Sequence, residues 1–367
     1  MTTLTSAPAA APASTASLTS GKLPKWAPWA LLAASFAISA AVFAVAAAAA
    51  GSSLADFNIV GTAIVGIVLY MVIITVISSI AESRRKAIDR LMTALVATAF
   101  LIALLPLVSL LWTVVANGVE RFDAEFFSYS MRNVVGEGGG IVHAIWGTVL
   151  ITLTATVISV PIGLMTSIYL VEYGRGKIAK AITFFVDVMT GIPSIVAGLF
   201  IYAAFALIFK PGISMGFMGA LALAVLMTPV VVRGSEELLR IVPNELREAS
   251  YALGVPKWLT ILKVVLPTSI AGIMTSVMLA ISRVIGETAP LLLTAGFTQS
   301  MNLNIFNGQM MTLPVFAYNQ YMNQGTTPDA AVARAWAAAL TLILIVMVLN
   351  LLARLIAKWF APKVSGR

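Results

Sequence analysis

This chain of 367 residues has no cysteine and a single histidine, His143. Disulfides and thiolate sites are therefore excluded, and a histidine-based metal centre has too few ligands to form. Charge is scarce as well. Asp, Glu, Lys and Arg make up 10% of the chain, where a soluble domain carries about 25%. There is no GxxxxGK[ST] segment. The glycine run at 138–140 does not precede a Lys-Ser or Lys-Thr pair, so it is a flexible-loop signal and not a phosphate-binding loop. No metal-ligand cluster or nucleophile–base set stands out, which argues against a membrane-embedded enzyme.

What is present is apolar. Hydrophobic residues make up 60% of the chain and the mean hydropathy is +0.97. The expected fold class is all-α: a polytopic membrane protein with about eight transmembrane helices in a lipid bilayer. The formal charge of +8 could suggest nucleic acid. In a membrane protein it reads instead as Lys and Arg concentrated on cytoplasmic loops.

Residues 1–25 are mostly Ala, Ser, Thr and Pro and are expected to form a disordered tail. The apolar run 26–50 resembles a signal peptide in its flanks. Its length exceeds the usual core of ~7–15 residues, so a retained span is expected. Further spans are expected at 58–80, 91–115, 144–170, 181–209, 216–232, 268–293 and 335–356. A charged loop at 82–90 separates the second and third. The mixed-charge segment 117–143 reads as an extracytoplasmic loop, with His143 at the membrane edge. The fifth span is interrupted by Thr-Gly-Ile-Pro-Ser at 190–194. With both termini inside and eight crossings, eighteen of the 23 Lys and Arg fall inside, four outside, and Arg283 within a span. That bias orients the chain.

The same count puts the polar island from Pro243 to Pro267 in the cytoplasm. Pro243 suits a helix start, and Glu245 and Glu248 complement the positive end of the helix dipole. Gly254 supplies a left-handed stop. Pro256 opens a second helix that runs into Pro267. The expectation is helix, bend, helix on a membrane surface.

Three ionisable residues fall within apolar segments: Asp187, Arg283 and Glu287. Each costs about 2.5–3.5 kcal/mol near a helix centre on insertion scales, so each needs a partner or a cavity. Arg283 and Glu287 are four apart, on one face of a helix. They read either as a structural ion pair or as an anion site, since a guanidinium offers a planar fork of donors to a tetrahedral oxyanion. Asp187 precedes the Gly-Ile-Pro break. It reads either as a residue capped by neighbouring hydroxyls at a proline kink or as a pathway residue.

The island also carries a resemblance. Glu248-Ala249-Ser250, three residues, Gly254, nine residues, then Val264-Val265-Leu266-Pro267 resembles the EAA loop of ABC importer permeases. The family pattern is EAA, three residues, G, nine residues, I-x-L-P. Ser250 replaces the second Ala and Val264 the Ile. The strings RVIGETAPLLLTAG at 283–296 and GIPSIVAGLF at 191–200 are similar to those of the phosphate-specific, PstA branch of the family. The resemblance covers about 147–360. It implies a permease core at 144–360 with a docking loop at 233–267, an N-terminal extension at 26–116 and a cytoplasmic tail at 361–367. It implies that Glu248, Ala249, Gly254, Leu266 and Pro267 serve ATPase docking. It implies Arg283 and Glu287 as residues on a path for inorganic phosphate, with Thr288 and Asp187 as further candidates for that path. The implied partners are a homologous second permease, an ATPase homodimer and an extracytoplasmic phosphate-binding protein. No cofactor is expected in this chain, ATP and Mg being held by the ATPase. The implied location is a bacterial cytoplasmic membrane. The alternatives are sulfate or molybdate as substrate, or a secondary transporter or channel. The last would be expected to show inverted repeats, and no internal duplication is evident.

Overall fold

The structure is a computed structural model that describes residues 23–49 and 57–360. The expected tails lie outside the described residues, except for 23–25. All regular structure among the described residues is helical. The chain divides into two compact units, Met1–Leu110 and Leu111–Arg367.

In the first unit, α1 (Ala27–Ala49) and α2 (Ile59–Ala81) form an antiparallel hairpin. Small and hydroxyl residues line its seam, as is usual where helices pack in lipid. Ser39 Oγ donates to the Thr62 carbonyl at 2.8 Å, and Phe36 closes over Gly66. The next helix, α3 (Arg84–Gly118), begins inside the segment expected to be a charged loop at 82–90. Glu82 organises this corner. It accepts the Leu23 amide at 2.8 Å, Ser78 Oγ at 2.9 Å and Arg90 Nη2 at 3.0 Å. Burial pushes its carboxyl up, but these bonds outweigh burial and hold it below the usual carboxylate range.

The second unit takes in the last turns of α3, then a 3₁₀ turn (Val119–Arg121) and α4 (Ala124–Ser128). The glycine run that follows is not a loose loop. Arg334, itself buried, donates to the carbonyls of Gly136 and Gly138 and to Gln320 Oε1. A side chain on Gly140 would strike the carbonyls of Phe126 and Tyr129. His143 is not at a wet edge either. It is buried edge-on against Phe316, with ring centroids 5.7 Å apart.

The core is built on α5 (Val142–Ile168) packed against α8 (Gly216–Ile241). Gly163 of α5 lets Val231 of α8 approach, and Gly234 of α8 faces Ser276 of α11 (Leu266–Val284). α5 is extended by a π-turn, Tyr169–Tyr173. α8 continues past Arg233, where a span was expected to end. Glu236 bridges Arg233 at 2.8 Å and Arg240 at 2.7 Å, so turn-spaced ion pairs carry the helix out of its apolar stretch. The expected loop 233–267 is shorter for that reason. The island itself is α9 (Asn244–Ala252) and α10 (Lys257–Thr260), as its prolines and Gly254 predict.

Two spans depart from expectation. The fifth is α6 (Gly176–Thr190) and α7 (Ser194–Ile208), bent by 107°. Pro193 cannot continue the hydrogen-bond ladder and drives Ile192 out of helical geometry. The seventh ends at Val284, well short of residue 293. After a break, α12 (Ala289–Thr294) opens with Pro290 in its first turn. At the other end, Pro267 does not stop the helix. A π-turn, Ile261–Val265, widens the backbone just ahead of it, and Lys257–Val284 runs as one span. The unit closes with α13 (Leu313–Met322) and α14 (Pro328–Phe360). Among the described residues seven helices are long and apolar enough to cross a membrane, or eight spans when the bent pair counts as one.

Candidate functional site

The island presents a surface. Glu245, Glu248, Ala249, Tyr251, Leu253, Gly254 and Trp258 are all exposed, and Leu253 is 83% exposed. Ser250, under this face, is buried and its hydroxyl meets Thr260 Oγ1 at 2.8 Å, holding α9 to α10. Gly254 has φ +76°, and a Cβ there would touch nothing. Its job is conformational, as the left-handed stop requires. Leu266 and Pro267 sit elsewhere. Leu266 is half-buried and packs against the core, while Pro267, in the first turn of α11, is exposed.

Sixteen residues separate Pro267 from Arg283, roughly 24 Å along the helix. Arg283 is in the last turn of the span, at its end away from the island. The helix ends one residue later, so the face that was to carry Arg283 and Glu287 together does not exist. Their charged groups do not come within 4.0 Å, and neither side chain makes a hydrogen bond or ion pair among the described residues. Arg283 is exposed; Glu287 and Thr288 are half-buried at the break. Next to them, Gly198 of α7 rests on Pro290, where a Cβ would lie 2.7 Å from the proline Cα. The break in α11–α12 and the motif after the bend in α6–α7 thus meet.

Asp187 is not part of this group. It forms an ion pair with Arg233 of α8, with no hydroxyl cap, since Thr190 Oγ1 donates to the Val186 carbonyl. It lies beside the end of α8 from which the island continues. The sequence reading gave no role to Arg247 and Glu172. They form an ion pair 2.9 Å across under the island, both nearly buried. Seventy-five residues separate them, so no local spacing could have signalled the pair.

Residues 159–366 match the model of the family described as binding-protein-dependent transport system inner membrane component. The chain belongs to this family. Within it, the chain groups with the PstA permeases. It is 47% identical over 280 residues to phosphate transport system permease protein PstA 1 of Mycobacterium tuberculosis strain CDC 1551 / Oshkosh, covering 74% of this chain and 90% of that one. It is 48% identical over 276 residues to PstA of Mycobacterium leprae (73% and 88%). It is 38% identical over 294 residues to PstA of Yersinia pestis (78% and 96%). The fold is that of ABC transporter permeases. A chain of a bacterial alginate ABC transporter superposes with TM-score 0.53 at 12% identity, covering 75% of this chain and 96% of that one. A chain of the inward-facing MetNI methionine ABC transporter superposes with TM-score 0.50 at 20% identity (60% and 96%). The protein is a multi-pass inner-membrane transport subunit, and its relatives are transport permease proteins.

Proposed function

We propose that this chain is one of two membrane subunits of an ATP-driven importer of inorganic phosphate. The observation that carries the substrate is Arg283. It is a permanent cation in the last turn of a span, exposed and with no side-chain partner among the described residues, beside a helix break whose backbone leaves the regular ladder. Such a charge must face a cavity or a second subunit. A planar fork of donors there suits a tetrahedral oxyanion. Glu287, in the same break, keeps the site from being purely attractive, so that an anion can leave as well as arrive. The relatives' names, all phosphate transport permeases, select phosphate over sulfate or molybdate.

In this reading ATP hydrolysis belongs to a separate ATPase homodimer, which binds the island. A homologous permease covers the face that carries Arg283. An extracytoplasmic binding protein delivers phosphate. Eight crossings, with the bent pair counted as one, put both termini on one side, and the bias of Lys and Arg makes that side the cytoplasm. Closure of the ATPase dimer biases the spans between two discrete arrangements, and phosphate passes Arg283 as they exchange. Uptake of labelled phosphate by the assembled complex, challenged with excess sulfate, tests the assignment. Phosphate alone should compete, and full competition by sulfate would overturn it.

A further inference from the structure

The island is tied to the spans by more than its own chain ends. Glu172 sits in the π-turn that ends α5. Its carboxylate accepts Arg247 Nε, from α9, at 3.0 Å. Its main-chain carbonyl accepts Lys257 Nζ, from α10. One residue of α5 therefore holds a cation from each helix of the island. Arg247 reaches further. Nη2 donates to the Leu239 carbonyl at 2.9 Å and Nη1 to the Val242 carbonyl at 2.6 Å, in the last turn of α8 and just after it. Carbonyls at a helix C-terminus lack partners and carry the negative end of the helix dipole, so cations hold them well. A planar guanidinium can serve several acceptors in fixed geometry, which an ammonium cannot. The side chains of Arg247 and Glu172 are 11% and 5% exposed, so water does not compete for these bonds.

We propose that Arg247 and Glu172 form a strut that makes the island, the end of α8 and the end of α5 move as one body. The strut rests on the docking reading, because it matters only if force arrives at the island. It adds a second route for that force. The covalent route runs through α10 into α11 and ends at Val284. The strut route enters α5, which runs unbroken as Val142–Tyr173 and has its far end buried at His143. Arg247 and Glu172 are positioning residues; neither lies on the exposed docking face nor near Arg283.

The readout is phosphate transported per ATP hydrolysed by the complete complex in liposomes. In Glu172→Gln, the ATPase should still copurify and hydrolyse ATP, while transport per ATP falls about tenfold, within the range of coupling between distant sites. Wild-type transport per ATP would overturn the strut. So would loss of ATPase copurification from a folded permease, since the pair would then shape the docking face and not transmit motion. Because this chain has no cysteine, a second experiment needs no cysteine removed from it. In Glu172→Cys/Arg247→Cys, a short bifunctional thiol reagent should restore transport per ATP relative to the unlinked variant. If the linked protein hydrolyses ATP but stays uncoupled, the rigid strut is wrong. The docking reading is tested separately on the exposed face, by Leu253→Glu. If the ATPase still copurifies with that variant, docking fails whatever the strut variants do.

Discussion

Glu287 follows Arg283 by four residues but does not share its helix: α11 stops at Val284, whose carbonyl accepts the Glu287 amide at 3.1 Å. The two charges are thereby freed from each other. A carboxylate one turn along the same helix would neutralise the guanidinium in place. Carried on the break, it stands apart, and the Arg283 donors remain open to a ligand.

The first prediction follows from that separation. Arg283→Gln should lower phosphate uptake to background while the complex still assembles. Arg283→Ala should also fold, because no buried carboxylate depends on the guanidinium, whereas breaking a buried pair costs about 3–5 kcal/mol. Size-exclusion profiles of both variants with uptake assays check this. A normal uptake rate in Arg283→Gln would remove Arg283 from the pathway.

The contact between Gly198 and Pro290 yields a second. The atom that a new Cβ would meet, 2.7 Å away, is backbone and not the end of a flexible side chain. Gly198→Val should therefore displace α7 from the break, at a cost of about 1–3 kcal/mol as in other overpacked cores. A lowered melting temperature in detergent, together with reduced uptake, is the expected result. Gly212→Ala, in an open turn where a Cβ meets nothing but the backbone holds φ +80°, should cost about 1–2 kcal/mol of stability and leave transport unchanged.

Much of this architecture is legible in the sequence because it is local. Proline, glycine and carboxylate spacing announce α9, the turn at Gly254 and α10, and apolar run lengths announce the spans. The rest depends on residues distant in the chain. Asp187 and Arg233, 46 apart, find each other only because α6 turns away at Pro193, and hydropathy cannot show a bend. Gly198 looks like an ordinary small residue in an apolar helix until Pro290 arrives. The stop at Val284 was hidden for a different reason. Gly286 and Pro290 follow it, but the apolar run at 291–293 resumes directly beyond them, so hydropathy carries the span across the break.

On the extracytoplasmic side expected for residues 117–143, Asp123 gives a pH prediction. It caps α4, accepting the Phe126 amide at 2.8 Å, and pairs with Arg121. The amide bond first, then Arg121, hold its carboxyl below the ordinary 3.8, against a smaller opposing effect of burial. A depressed folded value means stabilisation that is complete above the ordinary value and is lost as pH falls from there through the lowered one. Melting curves should thus show Asp123→Asn losing less stability than wild type between pH 5 and the acid limit. At pH 7, Asp123→Ala should cost about 1 kcal/mol for the missing cap.

Gly254 supplies the last prediction, because its two obvious replacements separate conformation from surface. Alanine adds a methyl that touches nothing, but must adopt φ +76°, at about 1–2 kcal/mol. The face formed by Glu248, Tyr251, Leu253 and Trp258 would keep its shape, so Gly254→Ala should retain the ATPase with modestly reduced stability. Proline fixes φ near −65° and removes the amide that donates to the Tyr251 carbonyl at 2.9 Å. α10 would then leave α9 at a different angle, and the face would be split. Gly254→Pro should lose the ATPase on copurification, while the permease still folds, because its spans are packed independently of this turn. Retention of the ATPase by the proline variant would mean that the angle between α9 and α10 is not what the ATPase recognises.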